Sequence, residues 1–309
     1  TDGEKSCCSP QAVTGARALA HRMGIPHFTL DLRERFRADV VDDFLAGYAG
    51  GSTPNPCVRC NGLVRFDAML DLARDLGAPR LVTGHYARIA EDGQGPLVRA
   101  GADPAKDQSY VLARLTGDEL ERLRFPLGGL EKPHVRELAG AAGLPVARKP
   151  ESQDLCFLAG TNGPDFMSRH GAPRRRAGAI VDRAGTVLGE HDGHQRFTVG
   201  QRRGIGVAGP EPLYVLAKDA HRNRVVVGTR AELGVRSVAV DPLVLHRPAQ
   251  RATSVRLRYH APTVPCVVHD GRSIALGREV VRPAPGQTAC LMDGDLVVGW
   301  GTMRAQADV

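Results

Sequence analysis

Two cysteines three residues apart, Cys57 and Cys60, lie in Thr53-Pro54-Asn55-Pro56-Cys57-Val58-Arg59-Cys60-Asn61. A thiolate can be a nucleophile, a metal ligand or half of a redox pair, and its surroundings decide which. Two prolines stiffen this loop, and Cys60 is expected at the start of a helix, where the positive end of the peptide dipoles lowers a thiol pKa. Four chemistries fit the spacing: half of a zinc site, half of an iron–sulfur site, a redox pair, or a nucleophile with a neighbour. No second Cys-x-x-Cys pair completes a zinc site. Two buried, inert cysteines are the bland alternative, which the flanking prolines and asparagine oppose. A third thiol, Cys156, sits in Glu151-Ser152-Gln153-Asp154-Leu155-Cys156-Phe157, just ahead of a change in composition. At a domain junction it would face a cleft. The alternative is a small apolar filler beside Leu155 and Phe157.

Other residues could bind rather than react. In Val82-Thr83-Gly84-His85-Tyr86, a glycine ends a predicted strand, where α/β sheets bring ligands to the backbone. His85 would meet a phosphate or base there, or else be a solvated loop histidine. Lys106-Asp107-Gln108-Ser109-Tyr110 joins charge, amide and an aromatic ring; Arg174-Arg175-Arg176 and Gln201-Arg202-Arg203-Gly204 are cationic loops. Arg256, Arg258 and His260 alternate in Arg256-Leu257-Arg258-Tyr259-His260, which in a strand puts them on one face. Each run alone reads as a solvated face. Together they suit RNA, whose phosphates need cations and whose unstacked bases favour aromatic and guanidinium planes.

The elements that must position these residues fall into two halves. Ser9-Pro10 predicts a helix to about Met23, Ile25 to Leu32 a strand, Arg33 to Tyr48 and Asn61 to Leu76 amphipathic helices, and Arg80 to Thr83 a strand. Thr116 and Glu119 form a capping box, and Pro133 opens a further helix. This alternation predicts an α/β domain with a mostly parallel sheet. After about Gly160, short apolar segments at Ala179, Tyr214, Arg224, Ser254, Cys266, Thr288 and Leu296 alternate with turns, predicting two small barrels or sheets.

The whole chain is consistent with this. Its 309 residues suit two or three domains, and 42% hydrophobic with 24% charged residues exclude long disorder. No apolar run reaches the roughly 18 residues that span a bilayer, and no leader is seen, so a cytoplasmic protein with no membrane partner is expected. Seven cysteines are an odd set and argue for a reducing compartment. A net charge of +7 favours a polyanionic partner.

In combination, TPNPCVRCN, TGHYAR, KDQSY, ESQDLCF and FTVGQRRG, in that order, resemble the bacterial tRNA-specific 2-thiouridylase family from about Cys7 to Thr302. The resemblance implies an α/β domain of the PP-loop ATP pyrophosphatase type at 1–159, a small central β domain at 160–220 and a C-terminal tRNA-binding β-barrel at 221–309. It implies ATP-dependent 2-thiolation of the wobble uridine of tRNA. ATP, with Mg²⁺, adenylates the uracil 2-carbonyl oxygen, and sulfur arrives as a persulfide from a sulfur carrier or cysteine desulfurase. By the same resemblance Cys60 is the nucleophile and Cys156 the persulfide carrier, and the two can form a disulfide in turnover. Asn55, Pro56 and Cys57 line the flipped-out base, Gly84 contacts ATP, and His85, Lys106, Asp107, Gln108, Arg258, Tyr259 and Gln287 contact tRNA.

Two departures shape further expectations. The chain begins with Thr1 and shows no Ser-Gly-Gly-x-Asp-Ser phosphate loop. A truncated domain is therefore expected, with ATP binding weakened, and a non-catalytic tRNA-binding remnant is the alternative. Cys57 stands where some relatives carry Asp. Cys57, Cys60 and Cys156 could then hold three corners of a [4Fe–4S] cluster whose fourth iron carries sulfide. A cysteine redox protein is a third class. Cys7, Cys8, Cys266 and Cys290 receive no role.

Overall fold

In the computed structural model, which describes residues 9–148, 155–158, 161, 163–170, 176–269 and 272–305, the first helix is Pro10–Arg22. Ser9 caps it by accepting from the Ala12 N–H at 3.1 Å, with Pro10 at the first helical position. The strand expected at 25–32 does not form: the segment pairs with no strand among the described residues, and Phe28 is 69% exposed. An apolar run becomes a strand only where a neighbour takes up its backbone groups.

Two long helices follow, at 33–49 and 56–75. Each contains one π turn, Arg37–Val41 in the first and Asn61–Arg65 in the second. Val40, Val41 and Phe44 of the first and Val64 of the second pack on Phe157, Phe166 and Met167. Strands β1 (Leu81–Val82) and β4 (Leu123–Arg124) pair in parallel, while β2 (Ala87–Glu91) and β3 (Pro96–Ala100) form an antiparallel hairpin. The predicted capping box is present: Thr116 Oγ1 accepts from the Glu119 N–H, and the Thr116 N–H donates to the Glu119 carboxylate.

The central unit is a four-stranded sheet ordered β6 (Val187–His191), β5 (Gly178–Val181), β8 (Arg224–Gly228), β7 (Tyr214–Asp219), with β5 and β8 parallel. The C-terminal unit is a closed antiparallel barrel of β9 (Gly234–Leu245), β10 (Ser254–Arg256), β11 (Val264–His269), β12 (Ser273–Val281), β13 (Thr288–Asp293) and β14 (Leu296–Met303). It closes through the β13–β14 pairing, which removes the free edges. Hairpin β2–β3 extends the same sheet through Leu296 of β14 opposite Arg99 of β3. The core is shared as well: Phe66, Tyr110, Leu112 and Leu123 pack with Cys290, Met292, Val297 and Trp300 of the barrel.

Candidate active site

The thiol loop is fixed by its own cap. Asn55, at φ −103° and ψ 94°, accepts with Oδ1 from the Val58 N–H at 3.3 Å, and Pro56 is the first helical residue. Cys57 therefore lies in the first turn, and Cys60 comes a turn later at the entry of the π turn. This corrects the expectation that Cys60 starts the helix; the dipole acts most strongly on the first turn, hence on Cys57. Cys57 keeps an open side, yet the protein packed around its thiol pushes the pKa above its ordinary value; Cys60 adds to the rise, and Arg65 opposes it. A thiol so held stays protonated near neutral pH and is a poor base. Asn61 Nδ2 donates to the Cys57 carbonyl at 3.0 Å and ties the π turn to the thiol turn. Single π turns recur at functional sites.

Cys156 is exposed between two anchors. Phe157, 5% exposed, packs against Phe44 with ring centroids 5.2 Å apart and against Phe166 at 5.1 Å. Leu155 and Leu158 join that cluster, and so do Cys60 and Leu63 of the thiol helix. The stretch 155–158 thus joins one apolar cluster with residues of both long helices, Cys60 among them. Glu151, Ser152, Gln153 and Asp154 of the same motif lie outside the described residues.

The barrel grips the thiol loop from the other side. Gln287 Nε2 donates to the Thr53 carbonyl at 2.7 Å, and the Thr53 N–H donates to the Pro285 carbonyl at 2.6 Å. Between them Gly286, at φ 89°, passes so close that a Cβ would stand 3.0 Å from the Thr53 carbonyl carbon. The Tyr110 hydroxyl donates to the Thr288 carbonyl at 2.8 Å, and the Tyr259 ring lies 6.0 Å from the Tyr110 ring. Tyr259 is half-open; burial raises its pKa, and Asp107 and Cys57 add to the rise, which sets this barrel phenol beside the thiol loop.

Several predicted RNA contacts face inward. Asp107, 5% exposed, accepts from the Gly101 and Ser109 N–H groups, from the Ser109 hydroxyl and from Arg256 Nη1 at 2.6 Å. Gln108 pairs with Tyr86 twice: its Oε1 accepts from the Tyr86 N–H, and its own N–H donates to the Tyr86 carbonyl. The KDQSY loop is therefore a clamp between the TGHYAR segment and the barrel, with Lys106 half-buried at its edge. His85, 8% exposed, lies against Phe66 and Phe125 with Nδ1 2.8 Å from Thr83 Oγ1. Burial, helped by Arg65, lowers its pKa to about 4, so it is neutral at physiological pH. Gly84 follows β1 in open space: a Cβ there would meet only Leu127 Cδ1, at 3.5 Å.

The expected shared face of Arg256, Arg258 and His260 does not exist. Strand β10 ends at Arg256, which turns to Asp107; the chain then turns, with His260 at φ 58°. Arg258 and Tyr259 stay exposed beside the Gly200 loop, where Arg258 Nη2 would lie 3.8 Å from a Gly200 Cβ. Arg176 of the arginine run is exposed, and Arg174 and Arg175 lie outside the described residues, as do Cys7 and Cys8. Cys266 and Cys290 are buried, and burial raises their pKa values to about 11 and about 12, so both are inert. Among the described residues no three His, Cys, Asp or Glu side chains stand together as metal ligands, Cys57, Cys60 and Cys156 included. Sequence reasoning missed Tyr110 as a clamp, at which only the aromatic in KDQSY hinted.

Comparison with known proteins decides the family. Residues 1–160 match the model of the tRNA methyl transferase HUP domain, and residues 164–229 match that of the tRNA methyl transferase PRC-barrel domain. The chain is 44% identical to the tRNA-specific 2-thiouridylase MnmA of Geobacter metallireducens, over 98% of this chain and 85% of the relative. The chain belongs to the MnmA family. It is 45% identical to MnmA of Rhizorhabdus wittichii, over 97% of this chain and 80% of the relative. It is also 46% identical to the bifunctional protein NifU/MnmA of Rubrobacter xylanophilus, over 97% of this chain and 61% of that longer protein. The HUP match covers the long helices and the thiol loop, and the PRC-barrel match covers the central four-stranded sheet.

Proposed function

We propose that this protein replaces the 2-oxygen of the wobble uridine of tRNA by sulfur. The observation that carries the reading is that Leu155 and Phe157, which flank the exposed Cys156, belong to the same apolar cluster as Cys60. Carbonyl oxygen is a poor leaving group, so ATP activates it as an adenylate, with Mg²⁺ accompanying the nucleotide. Gly84, at the end of β1, leaves room for the nucleotide. Cys156 carries the persulfide that a sulfur carrier or cysteine desulfurase loads. The terminal sulfur attacks C2 and AMP departs with the former carbonyl oxygen. The Cys60 thiolate then attacks the Cys156 sulfur and the bond to the transferred sulfur breaks. The remaining Cys60–Cys156 disulfide is returned to thiols by an external thiol.

The other residues divide between holding and contacting. Asn55 and Pro56 set the loop on which the extruded base rests, and Cys57 stays neutral beside it. Gln287, Asp107 and Gln108 act as positioning residues, because the Asp107 carboxylate and one side-chain polar atom of each glutamine are engaged by the protein. Arg258, Tyr259 and Lys106 stand at the surface toward RNA, and His85 shapes the pocket floor as a neutral ring. A division into three units at about 160 and 220 belongs to this reading, with the barrel as RNA platform, although hairpin β2–β3 joins the barrel's sheet and β8 the central one. No helix among the described residues is long and apolar enough to cross a membrane, and a thiol relay needs a reducing compartment such as the cytoplasm. The test is 2-thiouridine formation, read by nucleoside mass spectrometry, on unmodified tRNA with a persulfide donor. The reading requires product only when ATP is present; product formed equally without ATP would sink it.

A further inference from the structure

His194 follows Gly193 in the segment between β6 and the Gly200 loop, and it is 8% exposed. Its Nδ1 lies 3.1 Å from Asn223 Oδ1, and its Nε2 lies 3.1 Å from the Ala49 carbonyl oxygen. The Asn223 amide is oriented from its other end, where Nδ2 donates to the Arg176 carbonyl at 3.0 Å and to the Ala177 carbonyl at 2.8 Å. Oδ1 is therefore the atom toward the ring, and it only accepts, as does a backbone carbonyl. A neutral imidazole has one N–H and can serve one of these two acceptors; an imidazolium serves both.

The surroundings favour the charged form. Ala49 ends helix 33–49, and the Thr53 N–H, which would close the next turn on its carbonyl, donates to Pro285 instead. His194 thus reaches a carbonyl at the negative end of the helix dipoles, where a cation is stabilised. His191 of the same segment is built the opposite way: its Nδ1 accepts from the Gly193 N–H at 3.0 Å, and burial, then the charge of His194, lowers its pKa. Among the other charged groups on the elements that meet here, Asp192 is paired with Arg196 at 2.6 Å and Asp219 with Arg222 at 3.7 Å. Arg176, His221 and Arg224 are exposed, and Lys218 Nζ lies 5.5 Å from the centre of the Tyr48 ring at the helix end. The two partners of the His194 ring are neutral oxygens, not carboxylates.

We propose that His194 carries both ring protons in the folded protein and, as a positioning residue, fixes the end of helix 33–49 from which the thiol loop departs. The chain there hangs from three side-chain donors: His194 on the Ala49 carbonyl, Lys218 Nζ on the Ser52 carbonyl at 3.3 Å, and Gln287 on the Thr53 carbonyl. Asn55, the cap of the thiol helix, lies just beyond. An amine that loses its extra proton keeps N–H groups to donate, and an amide does not titrate, so only the grip of His194 needs its second proton. The native chain holds that proton, so the contact stabilises at low pH and is lost as rising pH removes it. The effect on sulfur transfer rests on the function proposed above; the state of the ring does not.

The full chain, labelled with nitrogen-15 histidine, is read at pH 7.5, where a free histidine is mostly neutral. Two-bond proton–nitrogen correlation spectra separate an imidazolium from either neutral tautomer, and the His194 signal is the one that His194→Leu or His194→Gln removes. The imidazolium pattern is expected; a neutral tautomer overturns the proposal. Single-turnover 2-thiouridine formation then compares wild type with His194→Leu at pH 7 and pH 9, a ratio in which the shared thiols cancel. The wild-type advantage should be about tenfold at pH 7 and shrink toward parity at pH 9. A ratio indifferent to pH overturns the positioning role. His194→Gln takes the place of the leucine variant should that fail to melt cooperatively. Should wild type itself make no 2-thiouridine, the proposed function fails, and the spectra still decide the ring. The thermal midpoints then decide the clasp: a deficit of the variant that is larger at pH 7 than at pH 9 supports it, and one equal at both overturns it.

Discussion

Asp107 accepts four hydrogen bonds, one of them from Arg256, which belongs to a strand 149 residues further on. Burial alone would raise its pKa; Arg256, the Gly101 and Ser109 N–H groups and the Ser109 hydroxyl more than reverse this and leave it lowered. The stability it contributes is present above the ordinary carboxylate range and is lost as pH falls through its lower native value. Asp107→Asn strands a buried guanidinium and should cost about 3 kcal/mol in urea unfolding at pH 7. The variant should lack the matching loss in acid. His85 works with the opposite chemistry but the same direction of pH. Its pKa drops from 6.5 to about 4 because burial, then Arg65, disfavours the cation. The unfolded chain therefore binds a proton that the native chain refuses, and stability declines as pH falls from 6.5 toward 4. His85→Gln should flatten that decline by up to roughly 3 kcal/mol. A slope unchanged in the variant would mean that His85 is not the refusing group.

Among the elements, the stretch 155–158 depends most on a single side chain. Phe157 meets Phe36, Phe44 and Phe166, and Leu155 and Leu158 join it in the same cluster on either side of Cys156. Phe157→Ala should cost about 3–5 kcal/mol of local packing and lower sulfur transfer steeply while leaving both thiols in the chain. Transfer at the wild-type rate in that variant would show that the anchor does not matter. Much of this local structure was legible beforehand. Ser9-Pro10, the Thr116–Glu119 box and the apolar spacing of 33–49 carry their own start and stop signals. The helix expected from Asn61 begins earlier, at Pro56, because Asn55 is a cap that also sits in a proline loop. Strand β12 escaped notice because Gly277, Arg278 and Glu279 interrupt its apolar run at an irregularity between Ala275 and Val280. Ile25–Leu32 reads as a strand from its residues, but pairing is a property of neighbours and not of the segment.

The whole molecule is joined more closely than its composition shift implies. The change near Gly160 marks where helices give way to sheets, yet Phe66, Tyr110 and Leu123 share a core with Cys290, Met292 and Trp300. Such sharing cannot be read from periodicity, which states that a face is buried but not against what. Deleting 221–309 should therefore leave the α/β part aggregated or without a cooperative thermal transition. A soluble, cooperatively melting fragment would show that the two units fold independently. The same joint explains why residues expected to touch RNA, Asp107, Gln108 and Gln287, are occupied inside the protein: their types advertise polarity, and only the fold says toward what. The most direct test of the thiol relay follows labelled sulfur through the two cysteines in a single turnover. Protein loaded with radioactive persulfide sulfur is mixed with ATP and unmodified tRNA, and label is counted on the Cys156 peptide and on uridine. The relay predicts that Cys156→Ser takes up no label and makes no 2-thiouridine, while Cys60→Ser holds label on Cys156 without releasing 2-thiouridine. Labelled 2-thiouridine formed by Cys156→Ser at the wild-type rate would contradict it.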